Sequence, residues 1–169
     1  MARLPQPVIG AVNGYAITGG FELALMCDFL IASTEARFAD THARVGVVPG
    51  WGLSQRLPRL IGINRAKELS LTGNYLDAQT AERWGLVNRV VPHDQLDAAT
   101  QELAETVAAK LGAAVKIGKR AFYEQADMPL EEAYAYAGRV MAENMMARDA
   151  EAGIGAFTRK EPMPDWTGE

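Results

Sequence analysis

The sequence predicts an α/β fold that runs into a helical C-terminal region, and two observations carry that reading. First, an apolar run of strand length at 8–12 precedes an apolar helical run at 19–27 and a second strand-like run at 29–33. Strand, helix and strand within about 25 residues suit a compact β-α-β unit with parallel pairing. Second, Leu96, Ala99, Leu103 and Val107 recur on one face at helical spacing, and further helical patterns follow at 113–125, 130–146 and 148–157.

The elements follow in order. Pro5 and Pro7 keep the lead-in 1–6 extended. The run 8–12 shows no alternation, which predicts a strand covered on both faces. Asn13-Gly14 is a turn signal, and Gly19-Gly20 opens the helix 19–27, which ends near Asp28. Arg37-Phe38-Ala39 adds a short third strand, and 40–51 reads as a loop. Helices are expected at 53–60 and 63–71 with Gly62 and Gly73 at their ends, Pro58 kinking or ending the first. Asp77 caps a short helix at 78–84 with Gly85 past its end, and 86–91 is a short strand. The tail 161–169, with Pro162, Pro164 and Gly168, reads as irregular. Met141, Met145 and Met146 are expected in the core or in a subunit contact.

Composition narrows the function classes. The chain of 169 residues has room for one compact domain with a sizeable core, and its net charge of −4 gives no electrostatic reason to expect nucleic acid. The single cysteine, Cys27, excludes an intrachain disulfide and a thiolate metal cluster, and its apolar setting predicts a buried, inert thiol. No apolar run approaches a membrane-spanning length, and no basic region leads into an apolar stretch at the N-terminus, so the cytoplasm is the default location. The two histidines, His42 and His93, lack metal-site company, and His93 reads as a surface residue. Gly14-x4-Gly19 lacks the Lys and Ser/Thr of a P-loop, Gln55 breaks a dinucleotide fingerprint starting at Gly50, and no serine nucleophile elbow is present.

The stretch from Pro7 to Ala24 carries the chemistry. Gly19-Gly20 lets a ligand approach the backbone at a helix start, and an amide there can stabilise charge developing on a carbonyl oxygen. Glu22, within a turn of those amides, is a candidate to move a proton or orient a water. A first-turn glutamate is also the electrostatic default of a helix, and Gly-Gly can be a tight connection alone. Both readings stay open on spacing.

Pro7-Val8-Ile9-Gly10-Ala11-Val12-Asn13-Gly14, Gly19-Gly20-Phe21-Glu22-Leu23-Ala24 and Cys27-Asp28 resemble the signature of the enoyl-CoA hydratase/isomerase (crotonase) family. The similarity continues through Arg37-Phe38-Ala39, Val45-Gly46-Val47-Val48-Pro49-Gly50-Trp51-Gly52, Gln55 to Gly62, Leu71-Thr72-Gly73 and Trp84-Gly85-Leu86-Val87, and spans essentially the whole chain. The resemblance implies a crotonase-like ββα spiral over 1–92, lacking its N-terminal part, and a helical trimerisation region over 93–169. Family members carry roughly a hundred further residues upstream, about a small domain's worth. That part supplies the other oxyanion amide and much of the adenine pocket, and the sheet edge left open predicts self-association.

The resemblance also implies chemistry on acyl-CoA thioesters, with coenzyme A as part of the substrate and no metal or redox cofactor. Gly19 matches the glycine giving one oxyanion amide, Glu22 one of two catalytic glutamates, and Gly50 a backbone position near the attacking water. Phe157 and Lys160 match positions that bind the nucleotide end of CoA, often from a neighbouring subunit. Lys160 reads equally as a solvated surface lysine. The position of the second glutamate, twenty residues after Glu22, holds His42. It reads as a proton donor or as a pocket-lining residue. Trp51, where relatives have a small residue, narrows the acyl pocket in this reading. The expected function is an enoyl-CoA hydratase (lyase) or isomerase of fatty-acid metabolism, assembled as a homotrimer or hexamer, with neither nucleic acid nor membrane as partner. The rival is a catalytically impaired acyl-CoA-binding or interaction protein on the same scaffold.

Overall fold

The computed structural model describes residues 1–168 and resolves into two compact units. One comprises Met1 and Val8–Ala104, the other Ala2–Pro7 and the chain from Glu105 onward. The change of unit falls within the helix Leu96–Ala108.

The first unit holds two small sheets. In one, β1 (Ile9–Val12) pairs in parallel with β3 (Phe29–Ser33), which pairs in parallel with β6 (Arg89–Val91). The β-α-β unit expected from the sequence is therefore present, with α1 (Gly19–Ala24) as its crossover helix. The central strand β3 buries four of its five residues, while β1 stands at the sheet edge with Ala11 exposed. Cover on both faces thus belongs to β3 and not to β1. A Cβ at Gly10 would lie 2.6 Å from Leu30 Cδ2 and 3.1 Å from Cys27 Sγ, so glycine is what lets β1 close onto its neighbours. Asp28 ties the same corner: its Oδ2 accepts from Val8 N–H at 2.7 Å and its own N–H donates to Val8 O at 2.8 Å.

Of the second sheet, the sequence marks only the 37–39 strand. β2 (Tyr15–Ile17) pairs in parallel with β4 (Arg37–Ala39), which pairs antiparallel with β5 (Leu76–Asp77). Three- and two-residue strands leave no periodicity to read, so β2 was hidden inside a turn-to-glycine passage and β5 inside a loop. Helix α1 stops at Ala24 rather than 27, and the 86–91 strand shrinks to β6, the chain turning or bending through 25–28 and running irregularly through 86–88. Cys27, beyond the end of α1, is half-buried rather than buried.

Helices α2 (Leu53–Ile61) and α3 (Ile63–Thr72) lie where expected. Pro58 does not end α2, which runs on to Ile61. Leu53 and Leu57 are fully buried and Ile61 nearly so, and burying that stripe outweighs the one backbone hydrogen bond proline forgoes. Gly73, at φ 66°, closes α3 in the left-handed region. Helix α4 (Ala78–Arg83) begins at Asp77, whose Oδ1 accepts from Thr80 N–H at 2.8 Å. The core of this unit gathers Phe21, Phe38, Leu53, Leu57, Ala78 and Ala81, none with measurable exposure.

Helix α5 (Leu96–Ala108) turns Leu96, Ala99, Leu103 and Val107 inward, as their spacing predicts. The second unit holds α6 (Gly112–Gln125), α7 (Leu130–Met145) and α8 (Arg148–Arg159), close to their expected bounds. No residue of α6 or α7 is fully buried. Met141, Met145 and Met146 are 65, 46 and 86% exposed, so they are not core residues of this chain.

Candidate active site

The site is built where three N-terminal ends are tied together in the first unit. The first end is that of α1. Thr18, its N-cap, has φ 53° and ψ −112°, a costly conformation for a β-branched residue. Three bonds hold it there. Its N–H donates to Ala39 O, its carbonyl accepts from Glu22 N–H, both at 2.9 Å, and its hydroxyl meets that of Thr41 at 2.5 Å. Because that hydroxyl turns to Thr41, no side chain caps α1. The N–H groups of Gly19, Gly20 and Phe21 also lack a carbonyl one turn earlier.

The glycine pair has no cause in the chain's own packing. A Cβ at Gly19 or Gly20 would meet nothing within 4 Å, and neither residue has positive φ. That leaves space for a ligand against the backbone of Gly19.

The second end is that of α2. Glu22 points from α1 to this helix and is 3% exposed. Its Oε1 accepts from Trp51 N–H at 2.8 Å and Leu53 N–H at 3.2 Å, while Oε2 has no hydrogen-bond partner among the described residues. Glu22 thus caps a helix that is not its own, and one carboxylate oxygen is left unengaged. The carboxylate therefore serves the α2 start and not merely the first turn of α1. Gly52, at φ 140°, supplies the turn that aims both N–H groups at it.

The third end is a short 3-10 turn, His42–Val45, inside the segment read as loop. Thr41 precedes it and carries the hydroxyl bonded to Thr18. His42 Nδ1 lies 2.6 Å from Asp40 Oδ1, which also accepts from His42 N–H at 3.2 Å. Asp40, just past β4, is fully buried, and its Oδ2 has no hydrogen-bond partner among the described residues. Asp40 carried no signal in the sequence. Its importance comes from burial and from the i, i+2 contact that the turn creates.

Two bridges, Thr18–Thr41 and Glu22 to Trp51 and Leu53, therefore join the segments bearing Gly19, Glu22, His42 and Gly50. Gly50 is exposed, next to the Trp51 N–H bound by Glu22. Trp51 is 63% exposed, and its backbone N–H is the atom that bonds to Glu22. Phe157, 76% exposed near the end of α8, and Lys160, the left-handed C-cap of that helix, belong to the helical unit. His93 is on the surface, 3.7 Å from Glu35. Among the described residues no group of three His, Cys, Asp or Glu could hold a metal ion, and no helix is long and apolar enough to cross a membrane.

A buried carboxylate on a helix whose own first amides are uncapped defines a class of site suited to polarising a carbonyl and moving a proton next to it. The profile of the enoyl-CoA hydratase/isomerase family matches residues 1–169, and the chain belongs to that family. Its fold is the crotonase fold. A crystal structure of enoyl-CoA hydratase from Bacillus anthracis superposes with a TM-score of 0.94 at 40% identity, covering 99% of this chain and 65% of that one. One from Mycobacterium smegmatis gives 0.93 at 41%, covering 98% and 63%. A Dictyostelium discoideum protein described as a probable mitochondrial enoyl-CoA hydratase is 39% identical over 98% of this chain and 60% of its own length. An Arabidopsis thaliana protein described as probable enoyl-CoA hydratase 1, peroxisomal, is 54% identical over 63% of this chain and 40% of its own length. The chain thus spans about 60–65% of the length of the relatives that it matches nearly end to end.

Proposed function

We propose that the protein is an enoyl-CoA hydratase-type enzyme acting on acyl-CoA thioesters, in the breakdown or remodelling of fatty acyl chains. The observation that carries the reading is Glu22, a buried carboxylate with one oxygen pinned by two amides and the other unengaged. In this reading the thioester oxygen sits against Gly19 N–H, which takes up negative charge as the enolate-like state forms. Glu22 Oε2 accepts a proton from water as the water oxygen bonds to Cβ. His42 supplies the proton that Cα gains, and Gly50 lies beside the water. The reaction so written draws on no metal or redox group.

Phe157 and Lys160 are proposed to contact the nucleotide end of CoA, supported by their exposure and by the family resemblance. Exposed Met141, Met145 and Met146 support a homotrimer or a hexamer built through the helical region. We further propose a cytoplasmic location. The peroxisomal and mitochondrial descriptions of two relatives name the compartments from which fractionation would have to distinguish it.

The test is hydration of a short trans-2-enoyl-CoA, followed as loss of the enone absorbance, beside Glu22→Gln. Turnover in the wild type that falls about a hundredfold or more in the variant supports the reading, that being the usual worth of a positioned acid or base. Equal rates in both, or binding without turnover, would overturn it. A 3-enoyl substrate then separates an isomerase from a simple acyl-CoA binder.

A further inference from the structure

We propose that Asp40 is a positioning residue: it fixes His42 with Nδ1–H donated to its buried carboxylate, which makes Nε2 the atom that carries the proton to Cα. The inference rests on the hydratase reading above and identifies how that site works with histidine in place of a second carboxylate.

The geometry supports it in three ways. The Nδ1–Oδ1 distance of 2.6 Å is short for a nitrogen–oxygen pair, as charge-assisted bonds are. A carboxylate only accepts, so the hydrogen of that bond belongs to Nδ1. Nε2 has no hydrogen-bond partner among the described residues, and the His42 side chain keeps 13% exposure, so the second nitrogen is free for substrate. Finally, Asp40 is fully buried with Oδ2 unpartnered, although a buried polar atom without a partner costs about 1–3 kcal/mol. A carboxylate serving only to cap the 3-10 turn would need no burial, since exposed Asp, Asn and Ser do this throughout proteins. The arrangement is that of a buried acid holding an imidazole in one tautomer and stabilising its cation.

The proton balance closes. Water loses a proton to Glu22 Oε2 while its oxygen bonds to Cβ. The π electrons move onto the thioester and return to Cα, which takes the Nε2 proton of the His42 imidazolium. The imidazole left behind keeps Nδ1–H against Asp40. The proton on Glu22 passes to Nε2 through solvent water, and the net change is addition of one water to the double bond.

The first measurement is nitrogen NMR of 15N-histidine-labelled protein, with His93→Gln separating the two histidines. In the neutral state His42 is expected as the Nδ1–H tautomer, and an Nε2–H tautomer would overturn the proposal. The second is steady-state hydration by Asp40→Asn, His42→Gln and the double variant. Each single change is expected to lower kcat by about a hundredfold or more with KM within about twofold, the double falling no further than His42→Gln. Wild-type kcat in His42→Gln, which keeps Asp40 in place, or additive losses in the double variant, would sink the proposal. Failure of the hydratase reading looks different: the wild type would show no turnover, or Glu22→Gln would keep it, and the catalytic role proposed here would fall with it whatever the tautomer.

Discussion

The α/β unit and the helical unit differ in how much apolar bulk they bury, although the first also exposes Tyr15, Val48 and Leu71. In the first, Phe21, Phe38, Leu53 and Leu57 have no measurable exposure. In the second, Phe122, Leu130, Tyr134, Met146 and Phe157 are each 74% exposed or more. Both have the apolar periodicity of ordinary amphipathic helices. The first therefore encodes its own core, and a core rigid enough to hold Thr18 at an unfavourable φ and Asp40 out of water. The apolar residues of the second are available to surfaces outside the chain. Periodicity alone reports that a face is apolar, and says nothing of what covers it.

The contrast can be broken most directly by truncation in the core. Phe38→Ala removes the ring packed 5.4 Å from Phe21, and is expected to cost about 3–5 kcal/mol in urea unfolding. A loss below about 1 kcal/mol would show that the α/β unit is looser than its burial implies. Met146→Ala in the helical unit should behave differently. At low protein concentration its effect on unfolding is expected to stay within about 0.5 kcal/mol. At high concentration it should lower Tm and the assembled mass, because assembly stabilises by mass action. A concentration-independent mass, the same in both proteins, would remove the proposed role in assembly.

A smaller effect sharpens the comparison inside the α/β unit. Asp77→Ala loses the cap of α4 and should cost about 1 kcal/mol. The Thr80 N–H holds the Asp77 carboxyl below its ordinary value of 3.8, outweighing the opposing effect of burial. A lowered folded-state pKa means that this contribution is fully present above the unfolded value and is lost as pH falls through the folded one. The difference between wild type and variant should therefore shrink on acidification below about pH 4, the unfolded range for aspartate, and a difference that grew instead would count against the cap. The smallest effect belongs to the helical unit, where exposed Arg120 and Glu124 and half-buried Tyr136 line a groove of about 400 Å³ between α6 and α7. The Tyr136 hydroxyl, donating to Glu124, lowers its carboxyl pKa, with Arg120 adding to the effect. Tyr136→Phe should raise that pKa, read by carbon NMR of the Glu124 carboxyl, with no change in Tm. An unmoved Glu124 would show that the bond is not kept in solution.

The sequence by itself determined the β-α-β order, the long helices, the glycine stops at Gly62 and Gly73, the Asp77 cap and the family. These are local or nearly local: a periodic stripe, a residue that tolerates positive φ, or a side chain reaching its own next turn. It also marked Glu22, through its place after Gly19-Gly20. Only the tertiary structure decided what Glu22 bonds to, since Trp51 and Leu53 are 29 and 31 residues away. Only it revealed β2 and β5, too short to show a period and formed because β4 lies between them. Pro58 stayed inside α2 for the same kind of reason, its local preference overruled by the burial of Leu57 and Ile61. Asp40 is the plainest case. An aspartate before a loop signals nothing, and it gains meaning when packing removes it from water and leaves it His42 as its side-chain partner. Chain-local preferences act through the nearest few residues, while burial and cross-chain hydrogen bonds exist only once the core has closed.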